Sequence, residues 1–294
     1  MRTLDLTHCF GAFLRGNSLS FDTLSGFLIS GPFFALVITV ATKNAYRQIK
    51  QGKGITMNIS KKYLSIATAG LMLSAGSVQA DELTANAGAA SNYLWRGLTQ
   101  SVNEAAVSGG IDYAMDNGFY LGTWASNVSY AAGDVFSYEH DIYGGYAFES
   151  NGISYDIGYL YYNYDDEAQF DFSEIYGSVG IGAFTVGLNL LVDTEANEGP
   201  RQDFGFGQAY YLYADYTTEI RDGLELGVHL GYHEGDFSEA FNGVPGAYVD
   251  YNVSLSKDGF MFMISATDLD DAGPDNLDND AIKFVVGYSM DFEL

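Results

Sequence analysis

Cysteine is almost missing from this 294-residue chain: the only one is Cys9, so everything downstream must hold together without a disulfide. Proline is nearly as rare, with 4. The most telling shortage is of basic residues. After residue 80 there are 5 Lys and Arg against 36 Asp and Glu, a formal net charge of −31 for residues 81–294. That imbalance makes nucleic acid and anionic membrane surfaces poor partners, and no nucleic acid is expected.

The first 80 residues have a different character. Residues 24–42 form a charge-free apolar run followed by Lys43, Arg47, Lys50 and Lys53, the pattern of a membrane-crossing helix with positive flanks. Residues 57–80 then repeat an export logic on their own. Lys61 and Lys62 give a basic start, an apolar stretch follows that is too short to span a bilayer, and the small residues Val78 and Ala80 precede a cut. Two successive export signals are redundant, so residues 1–56 read as an upstream extension from a mis-set start, with Met57 the true initiator. A lipoprotein would need a cysteine directly after the cut, whereas Asp81, Glu82 and Leu83 stand there. The organisation expected is therefore extension 1–56, cleaved signal peptide 57–80 and one exported domain 81–294.

What the exported part has in abundance is strand and turn chemistry: the chain holds 35 Gly, 23 Tyr and 20 Phe. Such aromatic content rules out a disordered acidic tail. Apolar residues alternate at period two, as in Phe184, Val186, Leu188, Leu190 and Val192, or Leu224, Leu226, Val228, Leu230 and Tyr232. The run Ile282, Phe284, Val286, Tyr288, Met290, Phe292 and Leu294 keeps that alternation to the last residue. About twelve segments have the length of a tilted membrane strand. Short connections at 116–118, 149–152, near Gly182, at 218–223 and 257–259 alternate with long ones at 97–104, 130–135, 163–169, 193–207, 234–246 and 269–280. Nothing in a soluble β-sandwich forces that alternation. The expected fold is all-β, a transmembrane antiparallel β-barrel of about twelve strands with both termini at the short-turn end.

The stretches SNYLWRGLTQS, VSGGIDY, GFYLGTWASNV and EHDIYGGY carry a resemblance to a known family. Through Tyr93, Arg96, Gly97, Gly109, Gly110, Tyr120, Gly122, Trp124, Ser126 and Asn127 the chain resembles the TorF family of porins, outer-membrane proteins of Gram-negative bacteria. Glu104-Ala105 departs from it where a Pro is common, and Leu294 where an aromatic residue usually ends the chain. The resemblance implies an outer-membrane channel and supplies no solute. Its implied surroundings are outer-membrane lipid, lipopolysaccharide and, at the C-terminal strand, the barrel assembly machinery.

Strand alternation also assigns faces. With the apolar set facing lipid, Asp112, Glu139, Asp141, Asp156, Glu174, Asp215, Glu225, Asp250 and Asp291 point inward, opposed only by Arg96 and Lys283, and few of these carboxylates can be paired. A lumen lined in this way admits cations or neutral solutes. The competing reading is a closed lumen in which the polar groups pair and Arg96 is a structural counter-ion. Trp95 and Trp124 are assigned to the aromatic girdle at the lipid interface, with sugar or nucleoside stacking as the alternative.

Several tempting motifs fall away. His229 and His233 lie four apart, but on a strand that is roughly 13 Å, too far to share a zinc ion, so both are placed in the lumen. The loop DLDDAGPDNLDND puts Ala272 and Asn279 where a calcium loop needs oxygen ligands and a bidentate Glu. It reads as a solvated acidic loop, with divalent cations bridging such loops as the alternative. Gly177, Gly180 and Gly182 lack a strand-loop-helix setting for phosphate. His140 is the one outward candidate for catalysis, and no Ser or Thr stands beside it in sequence on its face. No enzyme activity, cofactor or metal is expected. Mass spectrometry of protein taken from membranes should find Asp81 as its first residue; a mature chain retaining residues 24–42 would overturn the start-site reading.

Overall fold

A computed structural model describes residues 81–242, 246–270 and 277–294 of the chain. The upstream extension and the signal peptide lie outside the described residues, as does the middle of the acidic loop at 271–276.

The alternating segments form long strands. They run β1 (Glu82–Ala90), then two short strands β2 (Leu94–Trp95) and β3 (Leu98–Thr99), then β4 (Ala106–Ala114), β5 (Phe119–Asn127), β6 (Tyr138–Ser150) and β7 (Ile153–Asn163). These are followed by β8 (Phe172–Ile181), β9 (Phe184–Thr194), β10 (Tyr210–Arg221) and β11 (Leu224–Glu234). A one-turn-plus helix α1 (Asp236–Asn242) precedes β12 (Ala247–Lys257), β13 (Phe260–Thr267) and β14 (Lys283–Glu293). Each long strand pairs antiparallel with its neighbours, and β1 pairs with both β4 and β14, so twelve strands close into a barrel. The even count brings both ends of the domain together: Leu294 N donates to Leu83 O at 3.0 Å.

Turn chemistry at the short end accounts for the register. In Asn151-Gly152, Asp222-Gly223 and Asp258-Gly259 both residues have positive φ, the primed turn whose twist matches that of paired strands. At Gly259 a Cβ would also strike the carbonyl oxygen of Ser289, so glycine is required there twice over. Two irregularities escape the sequence pattern. A bulge between β8 and β9 shifts the register at Ser173/Glu174, leaving Val192 without a partner on β8 and changing the alternation of β9 from there on. In the connection after β11, Phe237 of α1 is buried against Phe172 and Phe204, with ring centroids 5.0 and 5.6 Å away, and Asp236 and Glu239 sit in the first turn, where the helix dipole favours acids.

The outer wall is apolar. Val107, Ile111, Ile142, Ile157, Val186, Leu230, Phe284 and Val286 all project outward and are exposed, Val107 by 67% and Phe284 by 64%. A closed sheet with such a surface belongs in hydrocarbon, where closure satisfies every strand's backbone donors and acceptors internally. An aromatic girdle is present, but tryptophan has no part in it. At the short-turn end it is built from Phe119 against Tyr146, Phe148 stacked on Tyr155, Phe184 against Tyr216 and Phe260 against Tyr288. At the other end Tyr210 and Tyr232 both donate to Glu234 at 2.6 Å.

A barrel of this kind resists detergent until it is boiled. Unboiled protein should migrate differently from boiled protein on a gel, with circular dichroism dominated by strand; spectra rich in helix would refute the architecture.

Candidate functional site

Sequence expectation and structure part company at the first long connection, expected at 97–104 and running in the structure from 91 to 105. It does not rise as an outer loop. It folds into the barrel mouth as the β2-β3 hairpin, and every residue from 92 to 101 is buried. Its tip is the pair Arg96-Gly97, with φ of 50° and 79°. A Cβ on Gly97 would lie 2.6 Å from Cβ of Asp250 and 3.0 Å from Cγ2 of Thr267, so the tip is pressed against the wall of β12 and β13. Ser101 Oγ accepts from Tyr93 N at 3.0 Å, and Gln100 N donates to Tyr93 O at 2.7 Å, which sets the hairpin's shape before it meets the wall.

Side chains then lock it in place. Arg96, 4% exposed, donates through Nη2 to both carboxylate oxygens of Glu174 at 2.8 and 2.6 Å. Its guanidinium lies between the rings of Trp95 and Tyr211, 4.1 and 4.5 Å from their centroids. Nη1 is 3.2 Å from His233 Nε2, and since a guanidinium only donates, that nitrogen must accept. Tyr248 donates to the Arg96 carbonyl at 3.0 Å. On the opposite side Tyr93 and Tyr164 each donate to Glu139, at 2.5 and 2.7 Å. Lys283 ties the base of the connection by donating to Asn103 Oδ1, Leu277 O and Asp278 O at 2.7 to 2.9 Å. Just outside the wall, Asp165 accepts from Ser137 N, Ser137 Oγ and Tyr138 N. Slight burial pulls its pKa up, but these bonds outweigh it and hold the carboxyl below its ordinary value.

All nine carboxylates assigned to the lumen do point inward, but most are not free. Tyr143 and Asn86 donate to Asp112, Tyr120 donates to Asp156 at 2.7 Å, and Tyr162 and Asn189 reach Glu174 beside Arg96. His229 stands between Asp215 at 2.7 Å and Asp250 at 3.2 Å and meets the Tyr211 hydroxyl at 2.7 Å. Pairing is therefore the rule, because tyrosine hydroxyls do what the missing basic residues cannot. Glu225 and Asp291 lie toward the short-turn end, Asp291 opposite Asn86, which bonds Asp112. His229 and His233 both line the lumen, as their strand spacing requires.

The tryptophans correct the girdle assignment. Trp95 is on the hairpin and buried, and Trp124 faces inward from β5 against Tyr93, with ring centroids 5.5 Å apart. Both belong to the aromatic filling of the lumen. The motif glycines have separate reasons: a Cβ on Gly122 would collide with Tyr143 and Asp112, and one on Gly110 would lie 2.6 Å from Thr123 O. Gly109 lies beside it on the wall, where a Cβ would come 3.1 Å from Asn86 O. Ser126 Oγ donates to Val107 O at 3.4 Å, and Asn127, outward, accepts from Val107 N at 2.8 Å.

The expectation for His140 also needs revision. Thr123, on the adjacent strand and the same outward face, has Oγ1 2.7 Å from His140 Nε2. Sequence proximity could not reveal a partner seventeen residues away across a strand pair. The same hydroxyl is 2.9 Å from the Asp141 carbonyl. With its proton there, it accepts from the imidazole and has none to surrender as a nucleophile.

Removing Arg96 leaves Glu174 buried with only the neutral donors Tyr162 and Asn189. Arg96→Ala should cost about 3–5 kcal/mol in urea unfolding of the detergent-solubilised barrel. Adding Glu174→Gln should restore part of that loss; full additivity of the two changes would mean that the pair does not interact.

No curated protein matches the chain in sequence. Among solved structures it is similar to the KdgM porin, with a TM-score of 0.44 and 12% identity over 71% of this chain and 99% of that one. It is also similar to the outer membrane protein OprD from Pseudomonas aeruginosa, with a TM-score of 0.34 and 12% identity over 72% of this chain and 66% of that one. At such values the barrel rests on its own strand pairing. Residues 74–287 match a family described as "Bacterial protein of unknown function (Gcw_chp)", and the chain belongs to that family.

Proposed function

We propose that the chain is a porin-like channel of the bacterial outer membrane for small hydrophilic solutes, cationic or neutral, held closed at its outer mouth by the β2-β3 hairpin. The observation that carries this reading is the contrast between the two walls. Outside is hydrocarbon-compatible, whereas inside nine carboxylates face two basic side chains. Hydrogen bonds from tyrosine satisfy the carboxylate oxygens without cancelling their charge, so the lumen keeps a negative potential that favours cations. The TorF resemblance agrees with a channel, and the remaining expectations go with it. Export would proceed by cleavage after Ala80, β14 would engage the assembly machinery, and lipid and lipopolysaccharide would contact the apolar wall. Divalent cations at the acidic outer loops are a further contact in keeping with the charge.

One observation favours a second reading, a non-conducting structural or adhesive barrel: the hairpin's burial from 92 to 101 fills the mouth. Single-channel recording with a salt gradient separates the two when the wild type is compared with Gly97→Ala. The added methyl has no room beside Asp250 and strains a residue at φ 79°, so it should dislodge the hairpin. The channel reading expects Gly97→Ala to conduct more often than the wild type, with a reversal potential on the cation-selective side. Anion preference would refute the selectivity, and silence from both proteins would leave the structural barrel.

A further inference from the structure

Asp141 is the exception among the paired carboxylates of the upper lumen. It is 3% exposed, and its Oδ1 is buried without a hydrogen-bond partner. Two further carboxylates act on it electrostatically, Glu139 on the same strand face and Glu174 two strands away. Glu139 is satisfied by two tyrosines and Glu174 by Arg96, so neither offers Asp141 a proton or a positive charge. An ionised carboxylate in such a place is costly unless something positive joins it.

The surroundings say what kind of positive charge fits. Asp141 lies opposite Trp124 on one neighbouring strand and opposite Tyr162 on the other, and Tyr93 packs edge-on against Trp124. Among the described residues no three acidic or histidine side chains converge on a metal position. A calcium ion needs six to eight oxygens and magnesium an octahedral set, which one free carboxylate cannot supply. One carboxylate with aromatic neighbours instead suits a weakly hydrated monovalent cation or a primary ammonium group, bound chiefly by charge in an aromatic surround.

We propose that Asp141 is the anionic ligand of a single site for a small monovalent cation, an alkali ion of potassium size or a primary ammonium, enclosed by Trp124, Tyr93 and Tyr162. The site deepens the cation-channel reading and names the position where a permeating cation pauses beneath the hairpin. It can be tested without any current, so the two stand or fall separately.

The chain provides its own reporter, because its 2 tryptophans both lie in this part of the lumen. Protein purified from outer membranes in detergent is titrated with thallous acetate, a potassium-sized quencher, while tryptophan fluorescence is read. The wild type should show saturable quenching reversed by potassium acetate and by methylammonium acetate. In Asp141→Asn the saturable phase should be lost or its midpoint raised at least tenfold, whereas Glu149→Gln, exposed at the short-turn end of β6 and outside the lumen, should behave as wild type. Saturable quenching that survives Asp141→Asn unchanged overturns the site. Its absence in the wild type also overturns it, since Asp141 is then a neutral acid needing no ion. Folding of each variant is checked by the boiled-gel shift, and if Asp141→Asn fails that check the wild-type titration decides alone. Saturable binding in a barrel that passes no current supports the site and defeats the channel; conduction without saturable quenching does the reverse.

Discussion

Closure of the sheet is the constraint from which the remaining structure follows. In hydrocarbon an unpaired strand edge exposes a row of amides with nothing to bond, so β1 must meet β14 as well as β4. Closing an antiparallel sheet with short turns at one end gives the even count and brings both ends of the domain together. It also fixes the interior. Barrels of eight strands are filled by their own side chains and those of sixteen leave an aqueous channel. Twelve strands enclose a space between these limits, and here inward tyrosines narrow it while the β2-β3 hairpin occupies the mouth.

Filling a lumen with polar groups sets a second problem, because this chain has almost no cations to pair with its acids. Among the described residues the lysine and arginine side chains inside are Arg96 and Lys283; Lys283 is spent on Asn103 and two carbonyls, and His229 serves Asp215 and Asp250. Tyrosine is the alternative donor. Tyr93 and Tyr164 on Glu139, Tyr120 on Asp156 and Tyr143 on Asp112 give each carboxylate a defined geometry. A neutral donor satisfies a lone pair but leaves the charge in place. A composition poor in Lys and Arg and rich in Tyr is thus one solution to ordering an acidic interior with hydrogen bonds in place of ion pairs.

How much of this was legible depended on whether the signal was local. Period-two alternation and the Asn-Gly and Asp-Gly turns state a strand and its reversal within ten residues, so β11, β14 and the short-turn end could be read directly. The faces of Asp112, Glu174 and Asp250 followed from parity alone. Tertiary contacts could not be read in this way. Residues 91–105 look like any long polar connection, and only the opposite wall, with Glu174, His233, Tyr211 and Tyr248, makes their inward fold favourable. Trp95 and Trp124 carry the same ambiguity, since an aromatic residue near a strand end serves equally at a lipid interface or in a lumen. The Thr123-His140 pair and the bulge at Val192 depend on which residues stand opposite one another, a property of register rather than of any one strand.

The hairpin's anchors and the lining of an opened mouth are the same side chains. Arg96 sits on Glu174, Tyr93 on Glu139, and the Gly97 tip against Asp250. Withdrawing the hairpin would strip Glu174 of its guanidinium and Glu139 of one hydroxyl. A buried carboxylate deprived of its partner is far more costly than one that has exchanged it for another. A positively charged solute entering the mouth would restore the charge pairing of Glu174, which a neutral one would not. In the channel proposed above, opening and cation binding would therefore be coupled through shared residues, and by linkage whatever loosens the hairpin would tighten the hold of the lumen on cations.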